Sequence, residues 1–413
     1  MAITNSISVS LKYGGAGQFR CEVDAGRIVA ALELPESIRD VRKDLSVVLS
    51  GPLNFPPLEQ AVISDDRVAL VLDHHTPEAP ALIRATWDVL RRRDIVPENV
   101  VVIQPAQLLQ DALPDPRVAL PEDVRSHMVW KVHDPADQTG CGYLGSAATG
   151  ERIYLNRDVI DADVVISIGP ISYDPLTGHR GTNSVFYPGL SISDAIQQAH
   201  GQGHRELGPD DQRPLRVLID EVGWMLGSQF SIQVVAAAGS GVAHVLAGAA
   251  DSVLRRGIEL LARGWLIELD TRPEIVLAAI ENDAGGHGWH QLGAALATAR
   301  NLVAGGGKIV VLSEISAEPG QGLELLRQSE TARDAIQPLR TFLPPDLVSA
   351  TQLADAADWA NIYLLSHLPS ELVEDLFMIP LESLDEASRI LRGDENCLFV
   401  GSAQHTYGRI RAG

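Results

Sequence analysis

Lysine is scarce in this 413-residue sequence: only four of its 33 basic residues, Lys12, Lys43, Lys131 and Lys308, are lysine. None lies between Lys131 and Lys308, so that stretch cannot hold a Walker-type phosphate loop. Cysteine is scarcer still. Cys21, Cys141 and Cys397 are odd in number and far apart, which argues against a disulfide framework or zinc knuckle and fits a reducing compartment. No uninterrupted apolar run approaches the ~20 residues that span a bilayer. The opening MAITNSISVSLKYGG lacks the basic and apolar regions of a secretory signal. Positive charge is also in deficit, with Lys+Arg 33 against Asp+Glu 54, a net charge of −21 and a pI near 4.9. Such a surface repels nucleic-acid phosphates and anionic lipid. The densest basic run, Arg91-Arg92-Arg93, reads as a helix C-terminus complementing the macrodipole. The expectation is a cytoplasmic protein with a small-molecule partner, no nucleic acid and no membrane.

What is present is an ordinary globular composition, 45% hydrophobic and 21% charged, which excludes disorder as the main state. At ~100–200 residues per domain, the length allows two or three domains. Short β-branched runs alternate with stretches of 3.6-residue period, the pattern of βαβ units and a mostly parallel sheet. Strands are expected at 67–72, 99–103, 163–168, 216–220, 274–280, 308–312, 360–365 and 397–400. Helices are expected at 81–93, 253–262, 291–303 and 384–391, the third closed by a Gly305-Gly-Gly307 cap. A boundary in the 250–272 region gives an N-terminal α/β domain, 1–260, and a C-terminal α/β domain, 261–413.

Ligands of parallel α/β sheets bind beyond the carboxyl ends of strands. Four polar segments stand in such places. Asp73-His74-His75-Thr76-Pro77 offers an acid, two imidazoles and a hydroxyl to a metal or phosphate, although Asp, Thr and Pro equally suit a helix-capping turn. Thr177-Gly178-His179-Arg180-Gly181-Thr182-Asn183-Ser184 joins backbone freedom to donors for an anion. His200-Gly-Gln-Gly-His204 has the i,i+4 spacing of a metal pair, but its two glycines cost a helix ~2 kcal/mol. The turn Asp283-Ala-Gly-Gly-His-Gly-Trp-His-Gln291 places rings and an amide between a strand and a helix. His127, His133, His244, His367 and His405 form no constellation and read as surface or satisfied core residues. No G-x-S-x-G elbow supports a hydrolase.

The runs Val132-His-Asp-Pro135, Tyr143-Leu-Gly-Ser-Ala-Ala-Thr-Gly150 and Ile153-Tyr-Leu-Asn-Arg-Asp-Val-Ile-Asp-Ala-Asp-Val-Val-Ile166 resemble the lactate racemase family. So does the continuation through Gly178 and Gly181 to Pro188-Gly189. Leu11-Lys-Tyr-Gly14, Pro52-Leu-Asn-Phe-Pro-Pro-Leu58, Gly305-Gly-Gly-Lys-Ile-Val-Val-Leu-Ser-Glu314 and Gly320-Gln-Gly322 extend the resemblance over nearly the whole chain. It implies two α/β domains with mostly parallel sheets and a site in the interdomain cleft. It also implies a nickel pincer nucleotide tethered to a lysine, with a histidine on the nickel. The implied reaction is racemisation of 2-hydroxy acids by hydride transfer, with two histidines as general bases.

Position by position the match is partial. Ser184 falls where the tethering lysine belongs, Asp174 falls where one catalytic histidine belongs, and His200 keeps the nickel-binding place. The family's Asp-x-Thr-Arg-Pro motif reads Asp73-His-His-Thr-Pro77, without its arginine. Gln104-Pro-Ala-Gln107 stands where the other catalytic histidine should follow Ile103. Gln291 matches a substrate-binding glutamine, but Ala294 replaces the lysine three residues on. With these departures, the resemblance implies a divergent racemase or epimerase of a bulkier hydroxy acid or polyol that binds the nickel nucleotide without a covalent bond. In that reading His200 holds nickel, and Asp174, His74 and His75 are candidate acid–base groups. Asp73, Thr76, Gly178, Arg180, Gly181, Thr182, Asn183 and Ser184 surround the cofactor, and Gln291 meets the substrate. Two alternatives stand beside it: a homologue without catalysis that serves in binding or assembly, and a different metal enzyme built on His74, His75, His200 and His204.

Overall fold

The computed structural model describes residues 6–105, 113–203 and 207–411. The chain divides into two compact units, Glu36–Ala262, and Met1–Pro35 together with Arg263–Gly413. This corrects the contiguous division at 260. The hairpin of Ser6–Tyr13 and Gly17–Asp24 buries Phe19 and Val23 in one cluster with the C-terminal strands, and no change of composition near Pro35 announces it.

In the Glu36–Ala262 unit six strands form one sheet, in the order Val242–Ala249, Phe230–Ala236, Val164–Pro170, Val68–Leu72, Val100–Gln104, Val129–Val132. All pair in parallel except Val242–Ala249, which closes one edge antiparallel. The Val-Ala-Leu-Val-Leu run at the centre is buried at every position, as a strand covered on both faces requires. Its side chains alternate with period two. Val68, Leu70 and Leu72 pack with the helices Val41–Ser50 and Ala79–Leu90, whereas Ala69 and Val71 join Phe186, Leu215 and Ile219 on the other face. The order of connections reverses between Val68–Leu72 and Val164–Pro170. Asp73 and Ile171 therefore emerge at a topological switch point, where ligands of such sheets bind.

The other unit holds a five-stranded parallel sheet in the order Ile379–Leu381, Asn361–Leu365, Lys308–Leu312, Ile275–Ala279, Cys397–Val400. Its switch point lies between Ile275–Ala279 and Cys397–Val400. Two expectations are corrected. Arg216–Asp220 is not a strand but part of the helix Pro214–Leu226, which Pro214 opens and in which Leu215, Leu218, Ile219 and Val222 recur, buried, at helical spacing. The helix Trp289–Leu302 ends at an extended Val303, so Gly305–Gly307 form the turn into the next strand rather than the cap. No helix among the described residues is long and apolar enough to cross a membrane.

One glycine shows how closely the backbone is packed. Gly248 has φ +142°, and a Cβ there would lie 2.2 Å from the Leu53 carbonyl oxygen. Two backbones cannot both give way. Gly248→Ala is expected to cost more than about 1 kcal/mol, read as a lower denaturant midpoint at unchanged slope.

Candidate functional site

Asp73 follows the central strand and is almost wholly buried, 2% exposed. A buried carboxylate needs a partner, and Arg180 supplies it: Nε and Nη2 donate to its two oxygens at 2.7 and 2.5 Å. The His74 backbone N–H adds a third bond at 2.7 Å. Burial pulls the Asp73 carboxyl upward, but the guanidinium and these hydrogen bonds override it and hold it below the usual carboxylate range. Thr76 does not reach outward either, since its hydroxyl donates to the Asp73 carbonyl at 2.6 Å. Arg180 keeps Nη1 without a protein partner among the described residues.

Asp174 ends the short strand Ser172–Asp174, paired with Gly178–Arg180. Its Oδ1 accepts from the Leu176 and Thr177 N–H groups, both at 2.8 Å, and from the Thr177 hydroxyl at 3.0 Å. One oxygen thus holds the turn that carries Gly178, and Oδ2 stays uncommitted. His200 is the last residue of the helix Ser193–His200, and its ring makes no hydrogen bond to the described residues. Its pKa lies below the ordinary histidine value: burial is the main cause, the Asp174 carboxylate opposes it, and the Arg180 guanidinium adds to it. Those influences put the three groups in one neighbourhood. At neutral pH the imidazole is neutral, the form that ligates metals.

The loop expected to offer donors to an anion is turned inward. Thr182, Asn183 and Ser184 are 2%, 6% and 4% exposed. The Ser184 hydroxyl accepts from the Gly181 N–H at 3.3 Å and from Arg216 Nη1 at 3.0 Å. Arg216 is itself gripped by Asp220, one helical turn on. Asn183 lies over Gly223, where any Cβ would come within 2.3 Å of its carboxamide. Arg216 is not legible as a site residue in the sequence, because the run Arg216–Asp220 also fits a strand. Pro214 and the i,i+4 Arg216/Asp220 pair were the signals.

Other candidates are not gathered here. His74 lies beside Asp73, while His75 is exposed at φ +55°; their rings stand 5.9 Å apart. No group of three or more His, Cys, Asp or Glu able to hold a metal forms among the described residues, so His74, His75 and His200 do not make a zinc-like centre; His204 lies outside those residues. His133 is a satisfied core residue, with Nε2 on the Ser191 carbonyl at 2.8 Å and Nδ1 accepting from Asn156 at 3.1 Å. Gln291, in the other unit, is buried and spends its amide locally, accepting from the Gly288 N–H at 3.0 Å and donating to Asp283 at 3.1 Å. At that unit's switch point Gln404 donates to the Glu281 carbonyl at 2.8 Å, and His405 stands 3.7 Å from Asp283. Gln404 carries no signal in the sequence, where His405 reads only as a surface or satisfied core residue.

The model of the lactate racemase N-terminal domain matches residues 13–207. A lactate racemase from Thermoanaerobacterium thermosaccharolyticum is 18% identical over 357 residues, 83% of each chain. Residues 13–207 thus carry a lactate racemase N-terminal domain, and the chain is similar to lactate racemase over most of its length. The solved lactate racemase apoprotein from that organism shares the fold, with TM-score 0.82 at 17% identity over 98% of this chain and 100% of that one. A Thermotoga maritima protein solved by the Northeast Structural Genomics Consortium has TM-score 0.66 at 12% identity over 92% and 100% of the two chains. Ser184 lies beneath a guanidinium rather than carrying an amine, and Asp174 doubles as a turn cap.

Proposed function

We propose that the chain is an isomerase of the lactate racemase type, acting on a hydroxy acid bulkier than lactate or on a polyol. One observation carries this reading: near the switch point of the Glu36–Ala262 sheet, Arg180, Asp174 and His200 lie close enough to act on one another's charge, and the bonds of Arg180 and Asp174 leave Nη1 and Oδ2 uncommitted among the described residues. The nickel pincer nucleotide that the family resemblance implies fits these residues in part. A neutral His200 suits nickel, and Arg180 Nη1 suits a phosphate or carboxylate oxygen. Ser184 has no amine for a tether, so the group is held without a covalent bond. When bound, it supplies an acceptor for the hydride of the substrate C–H. Asp174 Oδ2 takes the hydroxyl proton and returns it, and the Asp73 pair fixes the guanidinium that orients the substrate.

The test loads purified protein with the nickel nucleotide, desalts it, and measures nickel and intact denatured mass. The expected outcome is retained nickel, a mass equal to that of the unloaded chain, and racemisation of hydroxy acids followed by chiral chromatography. Loss of nickel on desalting refutes the reading. Retention without turnover of any hydroxy acid or polyol favours a binding or assembly role.

A further inference from the structure

The groups near the switch point come from two separate stretches of chain. Asp174 and Arg180 stand on the hairpin of Ser172–Asp174 and Gly178–Arg180, whereas His200 ends the helix Ser193–His200. Among the described residues no hydrogen bond ties the His200 ring to that hairpin, so its place beside Asp174 and Arg180 must be set elsewhere. Arg213 makes the connection. It immediately precedes the helix Pro214–Leu226 and is only 3% exposed. Nη1 donates to the Pro175 carbonyl at 3.0 Å, and Nη2 donates to the Leu207 and Gly208 carbonyls at 2.9 and 3.0 Å. One guanidinium thus joins the residue after Asp174 to the chain that follows His200. A buried arginine ordinarily takes a carboxylate. Among the described residues this one takes main-chain oxygens, and its rigid planar fork fixes where they lie.

Two further contacts lie along the same seam. Gly178 has φ +76°, and a Cβ there would lie 2.3 Å from the Pro209 carbonyl oxygen, so only a glycine lets the two backbones meet. Beside it, the buried His179 has Nε2 4.0 Å from Asp210 Oδ1. We propose that Arg213 is a positioning residue: without touching a ligand, it sets the hairpin of Asp174 and Arg180 in register with the helix of His200. Its bearing on catalysis rests on the function proposed above, but its hold on the hairpin does not.

Arg213→Met strands three carbonyls and risks the fold, so Arg213→Lys, which keeps the charge and loses the fork, carries the test. The full chain, free of cofactor and labelled in its histidine rings, is observed by proton–carbon correlation spectra at a temperature where each variant is folded. The His200 signals are assigned with His200→Ala. Arg213→Lys is expected to shift the His200 ring signals while those of His133, held by Ser191 and Asn156, stay in place. Gly178→Ala opens the same seam from its other side and should move the same signals. A residue that only stabilises the fold would lower Tm and leave the His200 signals unmoved. After loading with the nickel nucleotide, Arg213→Lys should also lose nickel on the order of 10-fold faster than the parent, as removal of an outer support does at metal sites. Unmoved His200 signals in the folded variants, or His133 signals that shift as far, would overturn the assignment. Should the parent itself fail to hold nickel, the proposed function falls, and the ring signals still decide the role of Arg213.

Discussion

Arg180→Met is expected to cost about 3 kcal/mol of stability at neutral pH, because it strands a buried carboxylate. The value is set at the low end because the Arg180 side chain is 31% exposed whereas that of Asp73 is 2% exposed. For a unit of this size the corresponding fall in Tm is roughly 6–12 °C. The sign of its pH dependence separates this cause from a packing defect. In the parent protein the Asp73 pKa is depressed. Its contribution is present above the unfolded carboxyl value of about 3.9 and is lost only as pH falls through the lower folded value. In the variant burial, the largest influence, is opposed only by His74, so the folded pKa is expected to rise above the unfolded one and the penalty to ease on acidification. The gap between parent and variant should therefore narrow as pH drops toward about 4. Denaturant midpoints at the two pH values measure it, and a constant gap would rule the explanation out.

His200→Ala should separate stability from metal retention. The ring makes no hydrogen bond to the described residues and ends its helix, so Tm is expected to move by only a few degrees, within ~1 kcal/mol. Nickel remaining after the loaded protein is desalted should fall from near one equivalent to background, measured by elemental analysis. A variant that keeps its nickel would remove His200 from the metal site and, with it, the proposed chemistry.

The architecture was legible because it rests on hydrophobic periodicity. The Val68–Leu72 run is apolar at every position, and the strands at 275–279, 308–312 and 397–400 are similarly plain. Arg216–Asp220 reads as a strand because a short apolar window fits strand and helix equally, although Pro214 two residues earlier signals a helix start. The site was legible as a list of residue types beyond strand ends, not as a set of commitments. Nothing in Thr182-Asn183-Ser184 says that these side chains are buried, or that a guanidinium from residue 216 covers Ser184. Likewise Asp174 is recognisable as an acid, but its capping of Leu176 and Thr177 exists only once the turn has formed.

The divided C-terminal unit has a consequence for biosynthesis. The hairpin of Ser6–Tyr13 and Gly17–Asp24 leaves the ribosome first, yet the strands it packs against, ending at Cys397–Val400, leave last. An isolated two-stranded ribbon is marginal in water, so Phe19 and Val23 must wait uncovered while the intervening Glu36–Ala262 segment, contiguous in sequence, is free to fold on its own. Nascent chains stalled before residue 397 should therefore hold a protease-resistant middle and a cleavable leading end, and completing translation should protect both.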